Sequence, residues 1–253
     1  MAIRSPVVNV MANAALKAAR GLIRDFGEVE QLQVSVKGPG EFVSTADLRA
    51  ERTLKNELSR ARPGYSLLFE EGGATEGSDP HHRWIVDPLD GTTNFLHGIP
   101  HFAISIGLER DGEIVAGIVY EPTRDEMFWA EKGAGAYLND RRLRVSARRQ
   151  LAESLVGTGI PFGERGDHPA YVATLAAVAA ATSGVRRLGA AALDLAYVAA
   201  GLLLVREAGG FVSDLAGGQT MMASGDVLAA NDRLHLPLAA LIRQAMRSGR
   251  PAA

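Results

Sequence analysis

Apolar residues recur along this chain with two different periods, and the changes of period mark out its elements. From Met11 to Phe26 the spacing is helical, with Leu16, Ala19, Leu22, Ile23 and Phe26 on one side. Ser44 to Arg62 repeats the pattern and is stopped by Pro63-Gly64, so a second amphipathic helix is expected there. Lys37 to Gly40 reads as a loop, and Tyr65 to Phe69 as a short strand that ends on Glu70 and Glu71. Gly72 to Pro80 is a polar loop rich in turn formers. Trp84 to Val86 closes a buried strand. Beyond it, Phe102 to Glu109, Glu113 to Tyr120 and Glu126 to Ala130 are β-patterned runs separated by turn residues, which predicts an antiparallel meander. The rest alternates: a strand at Leu155 to Gly159, a helix at Pro169 to Thr182, a helix from Ala192 and a Gly209-Gly210 break. Strands near Phe211 to Asp214 and Asp226 to Ala230 and a closing helix at Pro237 to Met246 follow. The pattern alone predicts a mixed α+β protein.

Composition narrows the class. At 253 residues, with 47% hydrophobic and 22% charged residues, the chain describes one large globular domain or two intimate halves, about 1–145 and 146–253. A formal net charge of −2 gives no electrostatic case for nucleic acid as a direct ligand. The absence of cysteine excludes disulfides and thiolate zinc sites and fits a cytoplasmic protein. The first residues lack the apolar core of a signal peptide, and the apolar run from Gly189 to Val205 is short for a membrane span and carries Asp194, so it reads as buried helix.

The densest chemistry lies in WIVDPLDGTTN, Trp84 to Asn94. Pro88 fixes its own φ and keeps Asp87 extended. Asp87 and Asp90 can then project from one tight turn with the Leu89 carbonyl between them. Gly91 permits close backbone approach, and Thr92 or Thr93 can open a helix whose free N–H groups suit a phosphate. If the strand before Glu70 and Glu71 neighbours the strand before Asp87, these carboxylates converge, which is unfavourable without a cation. Oxygen-only ligands favour Mg²⁺ over zinc. Asp47 stands three residues after Ser44, so a capping box would make it purely structural. His97 and His101 have the i, i+4 spacing of a helical metal pair, but Gly98 and Pro100 between them break a helix, and His81 and His82 read as solvated loop residues.

The segment WIVDPLDGTTNFLHGIPHFAISIGL resembles the first signature of the inositol monophosphatase family of Mg²⁺-dependent, lithium-sensitive sugar phosphatases, and the likeness runs over nearly the whole chain. The resemblance implies a layered α-β-α-β-α fold, a homodimer and hydrolysis of a small phosphate monoester by metal-activated water, with myo-inositol 1-phosphate the leading substrate and fructose 1,6-bisphosphate an alternative. It assigns Glu70, Asp87 and the Leu89 carbonyl to a first Mg²⁺ and Asp87 with Asp90 to a second. VSTADLRAE resembles the segment whose aspartate pairs with a threonine, so Asp47 and Thr92 would orient the attacking water and Glu70 would help activate it. Asp90, Gly91, Thr92 and Thr93, with Gly189 and Ala191, would contact the substrate.

One departure stands out. Gly189 to Gly201 resembles the residues before the family's second signature, and Leu202 to Gly210 those after it, but the Trp-Asp strand and loop between them are missing. The resemblance makes the lost aspartate a ligand of the second metal. By motif neither Asp194 nor Asp214 replaces it. A missing sheet strand, weaker activity and altered specificity are the expected consequences. The other reading is a binding or regulatory protein, since some bacterial relatives join RNA transcription complexes. The basic group at Arg141, Arg142, Arg144, Arg148 and Arg149 would then be a candidate contact, or simply a solvated turn.

Overall fold

The computed structural model describes residues 3–29, 34–38, 41–161, 167–198 and 201–248. In chain order the elements are α1 (Pro6–Phe26), β1 (Val34–Gly38), β2 (Glu41–Ser44), α2 (Thr45–Ala61), β3 (Ser66–Phe69), β4 (Gly73–Thr75), β5 (His82–Asp90) and α3 (Thr92–Leu96). The meander follows as β6 (Ala103–Arg110), β7 (Glu113–Glu121), β8 (Glu126–Glu131), β9 (Gly135–Leu138) and β10 (Arg141–Arg142). The second half holds β11 (Leu155–Gly157), α4 (His168–Ala181), β12 (Gly184–Arg186), α5 (Ala191–Val198), α6 (Gly201–Glu207), β13 (Phe211–Ser213), α7 (Met221–Ser224), β14 (Leu228–Ala230) and α8 (His235–Ser248).

The main sheet has eight strands in the order β10-β9-β8-β7-β6-β5-β3-β4. β3 and β5 run parallel, with Phe69 beside Val86, and every other pair is antiparallel. Parallel neighbours end at the same edge, which is why the residues just past β3 and those at the end of β5 meet. α1 and α2 cover one face. There Met11, Ala15 and Leu22 of α1 and Leu54 and Leu58 of α2 pack against Trp84, Ile104, Ile106, Ile118 and Trp129. Each fully buried leucine in that layer contributes about 1.5–3 kcal/mol. The face of α1 differs from the expected one: Ala19 and Leu22 are buried, but Leu16 and Ile23 are exposed, and the contact stripe runs through Met11, Ala15, Ala18 and Leu22. Alanines at these positions let the helix axis approach its neighbours closely.

α5 and α6 cover part of the opposite face, over Ala103, Val119, Phe128, Ala130 and Ala136. Beyond them lie two short ladders, β11–β12 (parallel) and β13–β14 (antiparallel), and then the packed pair α4 and α8. The layers are therefore α-β-α-β-α. Among the described residues the inner β layer is two separate two-stranded pieces with no strand joining them. Smaller departures are β4, which pairs inside the segment read as a loop, and Lys37 and Gly38, which end β1. His82 is not a solvated loop residue: it opens β5, stacks on Tyr65 at 4.5 Å and pairs with Asp79.

Candidate active site

A bulge in β5 builds the site. Residues three apart on a regular strand face opposite sides of the sheet. Here Asp87 pairs with Ser105 and Asp90 with Ala103, so one extra residue of β5 lies between them. That bulge, at Pro88-Leu89, brings both carboxylates onto the same face. Pro88 suits it, because a bulged residue needs no ladder N–H. Asp87 is tied locally by the Leu89 N–H at 3.0 Å. Glu70, just past β3, is anchored by its N–H to the Val86 carbonyl at 3.2 Å and lies against the Asp87 carboxyl. Glu70 and Asp87 line one cleft of about 510 Å³, and Glu71 does not.

Asp90 faces a different partner. The N–H groups of Ala191 and Ala192 donate to its carboxylate at 3.2 and 2.7 Å, so Asp90 caps the start of α5. This contact sets Ala191 beside Asp90. Gly189 stands just upstream at φ 91°, where a Cβ would meet Arg187 and Asn94. Asn94 went unnoticed in the sequence. Buried at the first turn of α3, it donates to the carbonyls of His101 and Leu188 at 2.9 and 2.8 Å and so ties the segment before α5 to the DGTT turn. Its place in the GTTN string was the available signal.

Asp47 uses its two carboxylate oxygens differently, one in the capping box of α2 and one toward Thr92. Its Oδ2 accepts from the Ser44 N–H at 2.9 Å, while the Ser44 hydroxyl accepts from the Ala46 and Asp47 N–H groups, completing a capping box. Its Oδ1 accepts from the Thr92 hydroxyl at 3.1 Å. The Leu89 carbonyl stands 3.0 Å from the same hydroxyl. A hydroxyl has one hydrogen and two lone pairs. Held between these two acceptors, Thr92 keeps its lone pairs free for another donor. Gly91 precedes α3 at φ 96°, and a Cβ there would lie 3.0 Å from the His101 carbonyl, so only glycine fits. No side chain caps α3, which leaves the first-turn N–H groups of Thr92 and Thr93 without a side-chain acceptor.

The electrostatics are those of carboxylates crowded out of water. Burial, then the charges of Asp90 and Glu70, hold the Asp87 carboxyl well above the usual range. Asp90 is pushed up to about 6, first by burial and further by Glu70 and Asp194, against the opposing α5 amides. Asp194 rises to about 6 by burial, and its Oδ1 is buried without a hydrogen-bond partner. Asp47 is raised by burial too. Raised carboxyl values mean that the folded state holds more protons than the unfolded one, so stability is present below about pH 4 and lost as pH rises through about 6. Metal-free protein should therefore melt at a higher temperature at pH 5 than at pH 7.5, and Asp90→Asn should flatten that slope. Calorimetry in EDTA across this window measures it.

Oxygen-only carboxylates under mutual repulsion fit a hard dication such as Mg²⁺. Among the described residues, no three acids or histidines are grouped closely enough to hold a metal ion by themselves. Asp214 is spent elsewhere, accepting from Gly218 and Thr220 in its own turn. His97 bonds the Thr93 carbonyl and His101 stacks near Tyr197.

The sequence profile of the inositol monophosphatase family matches residues 4–204. The chain belongs to that family. An inositol-1-monophosphatase of Mesorhizobium japonicum is 55% identical over 259 aligned positions, which cover 95% of this chain and 97% of the relative. Ninety-five per cent of 253 residues is about 240, so about 19 of those positions have no residue here. The crystal structure of the extragenic suppressor protein suhB from Bartonella henselae superposes with a TM-score of 0.92 at 50% identity, covering 95% of this chain and 99% of that one. A Nus factor SuhB of Pseudomonas aeruginosa is 39% identical over 250 positions, 90% of this chain and 92% of that protein. This family member is a phosphoric monoester hydrolase, and among the described residues no helix is long and apolar enough to cross a membrane.

Proposed function

We propose that this chain hydrolyses myo-inositol 1-phosphate in a Mg²⁺-supported site formed by Glu70, Asp87, Asp90 and the Leu89 carbonyl. The observation that carries the proposal is the β5 bulge, which sets Asp87 and Asp90 on one face beside Glu70. The names of relatives at 48–55% identity support the substrate. Bound Mg²⁺ would supply charge neutralisation for the phosphate and acidify water.

The chain's own residues do the rest. The N–H groups of Thr92 and Thr93 take phosphate oxygens at the start of α3, next to Gly91, which leaves room for them. Thr92, donating to Asp47, accepts a hydrogen bond from water and fixes its direction of approach, and Glu70 takes its proton. Ala191 orients the alcohol part through the contact that ties α5 to Asp90. Thr92→Val keeps shape and removes only the hydroxyl, so kcat should fall about 100-fold with little change in KM, as for loss of a group acting in the transition state. Steady-state kinetics on myo-inositol 1-phosphate, with fructose 1,6-bisphosphate as comparator, checks both the role and the substrate. The homodimer implied by the resemblance belongs to the same proposal and is checked by light scattering.

The gap favours one second reading, a catalytically weak binding protein, to which the name of the Pseudomonas relative also points. It predicts folded protein without turnover.

A further inference from the structure

The cleft that holds Glu70 and Asp87 is otherwise a hydrocarbon wall. It runs along the open face of the main sheet from the Asp87 row to the Ile85 row, roofed by Leu203 and Leu204 of α6. Its floor is a notch made by Gly107 and Gly117, which sit opposite each other on β6 and β7. Neither glycine is required by the backbone. A Cβ on Gly117 would find its nearest atom, the Ile106 carbonyl oxygen, at 3.7 Å, and one on Gly107 would sit 3.8 Å from the Ile85 carbonyl oxygen. Strand glycines that the backbone does not need, in a half-buried sheet, mark a place where something else approaches. Apart from the two acids, Ser105 is the sole polar side chain lining the cleft among the described residues. A polyol laid there would leave most of its hydroxyls unpaired, at a cost for each. A hydrocarbon would not. The volume, about 510 Å³, is within the roughly 300–1,000 Å³ of ligand sites.

We infer that the cleft is a leaving-group subsite for apolar alcohols and phenols, so that the same acids hydrolyse aryl and alkyl phosphate monoesters. The inference rests on the phosphatase reading above. Water adds to phosphorus, the ester P–O bond breaks with its electron pair on the alcohol oxygen, and that oxygen takes a proton. The hydrocarbon stays on Ile85, Ile114 and Leu203 over the glycine notch.

The test uses 1-naphthyl phosphate and myo-inositol 1-phosphate with Mg²⁺, together with equilibrium dialysis of 1-naphthol against metal-free protein. Gly117→Val fills the notch, and Gly107→Ala is the milder second variant. The expected result is that Gly117→Val lowers kcat/KM for 1-naphthyl phosphate at least about tenfold, the usual scale for losing an apolar pocket, and weakens 1-naphthol binding in step. Turnover of myo-inositol 1-phosphate stays within about twofold, and Gly107→Ala shows a smaller effect in the same direction. The inference is overturned if folded variants treat 1-naphthyl phosphate as the parent does, or if the parent neither binds 1-naphthol nor hydrolyses its phosphate. If neither ester is hydrolysed, the phosphatase reading fails, and the dialysis decides the cleft by itself: binding lost in Gly117→Val supports it, and no binding overturns it.

Discussion

Asp87→Asn should remove Mg²⁺-dependent phosphate release almost completely while making the metal-free protein more stable. Loss of a partner outside a metal's direct ligands costs about 10–100-fold. Asp87 is a proposed direct ligand, so a loss of about 1,000-fold is expected. The stability change has the opposite sign because the folded chain holds Asp87 out of water beside Glu70 and Asp90, and all three charges repel. An amide keeps the bond from the Leu89 N–H and removes the charge, so the melting temperature in EDTA should rise. Added Mg²⁺ should raise the melting temperature of the parent, as any ligand of the folded state must, and should do so much less in the variant. Phosphate assay and calorimetry on the same samples measure both signs. Activity and stability falling together would place Asp87 in the packing instead.

The second large effect concerns the gap. Inserting between Gly201 and Leu202 a Trp-Asp strand and loop of the kind the family resemblance places there should raise kcat/KM for myo-inositol 1-phosphate by at least about tenfold, the scale of one support for a metal site. The insertion enters at the start of α6, whose Leu203 and Leu204 roof the apolar cleft. Turnover of 1-naphthyl phosphate should therefore move the other way. The melting temperature should rise as well, because β11–β12 and β13–β14 would regain a joining strand. Parallel kinetics on the two esters, with a thermal melt of each chain, check the prediction. Unchanged kinetics in a folded graft would mean that this chain has compensated for the loss by other residues.

The sequence made the active-site turn legible to a degree unusual for its length. WIVDPLDGTTN carried the proline, both aspartates and the glycine before α3, but the strand expected to close at Val86 runs on to Asp90, so the two aspartates stand on a bulged strand and not on a turn beyond its end. What the string could not reveal was the bulge. Strand alternation alone would separate Asp87 from Asp90, and the extra residue is visible only in the pairing with β6. The capping box at Ser44 was readable because it is local, whereas the Asp47–Thr92 bond spans 45 residues and came only from the family likeness. The Asp90–α5 contact spans about 100 residues and had no local signal. The same limit explains α1. Helical spacing gave the right period but the wrong centre for its buried stripe, since alanines make close contacts that a search for large apolar residues overlooks. The glycine notch was likewise hidden, because Gly107 and Gly117 become one feature only when β6 and β7 pair.

The decisive assay is phosphate release from myo-inositol 1-phosphate by the 253-residue chain, confirmed by intact mass, with and without Mg²⁺ and with Asp87→Asn as control. Turnover should need Mg²⁺ and disappear in the variant. Folded protein that releases no phosphate from this ester or any other monoester, with Mg²⁺ present, would contradict the phosphatase reading.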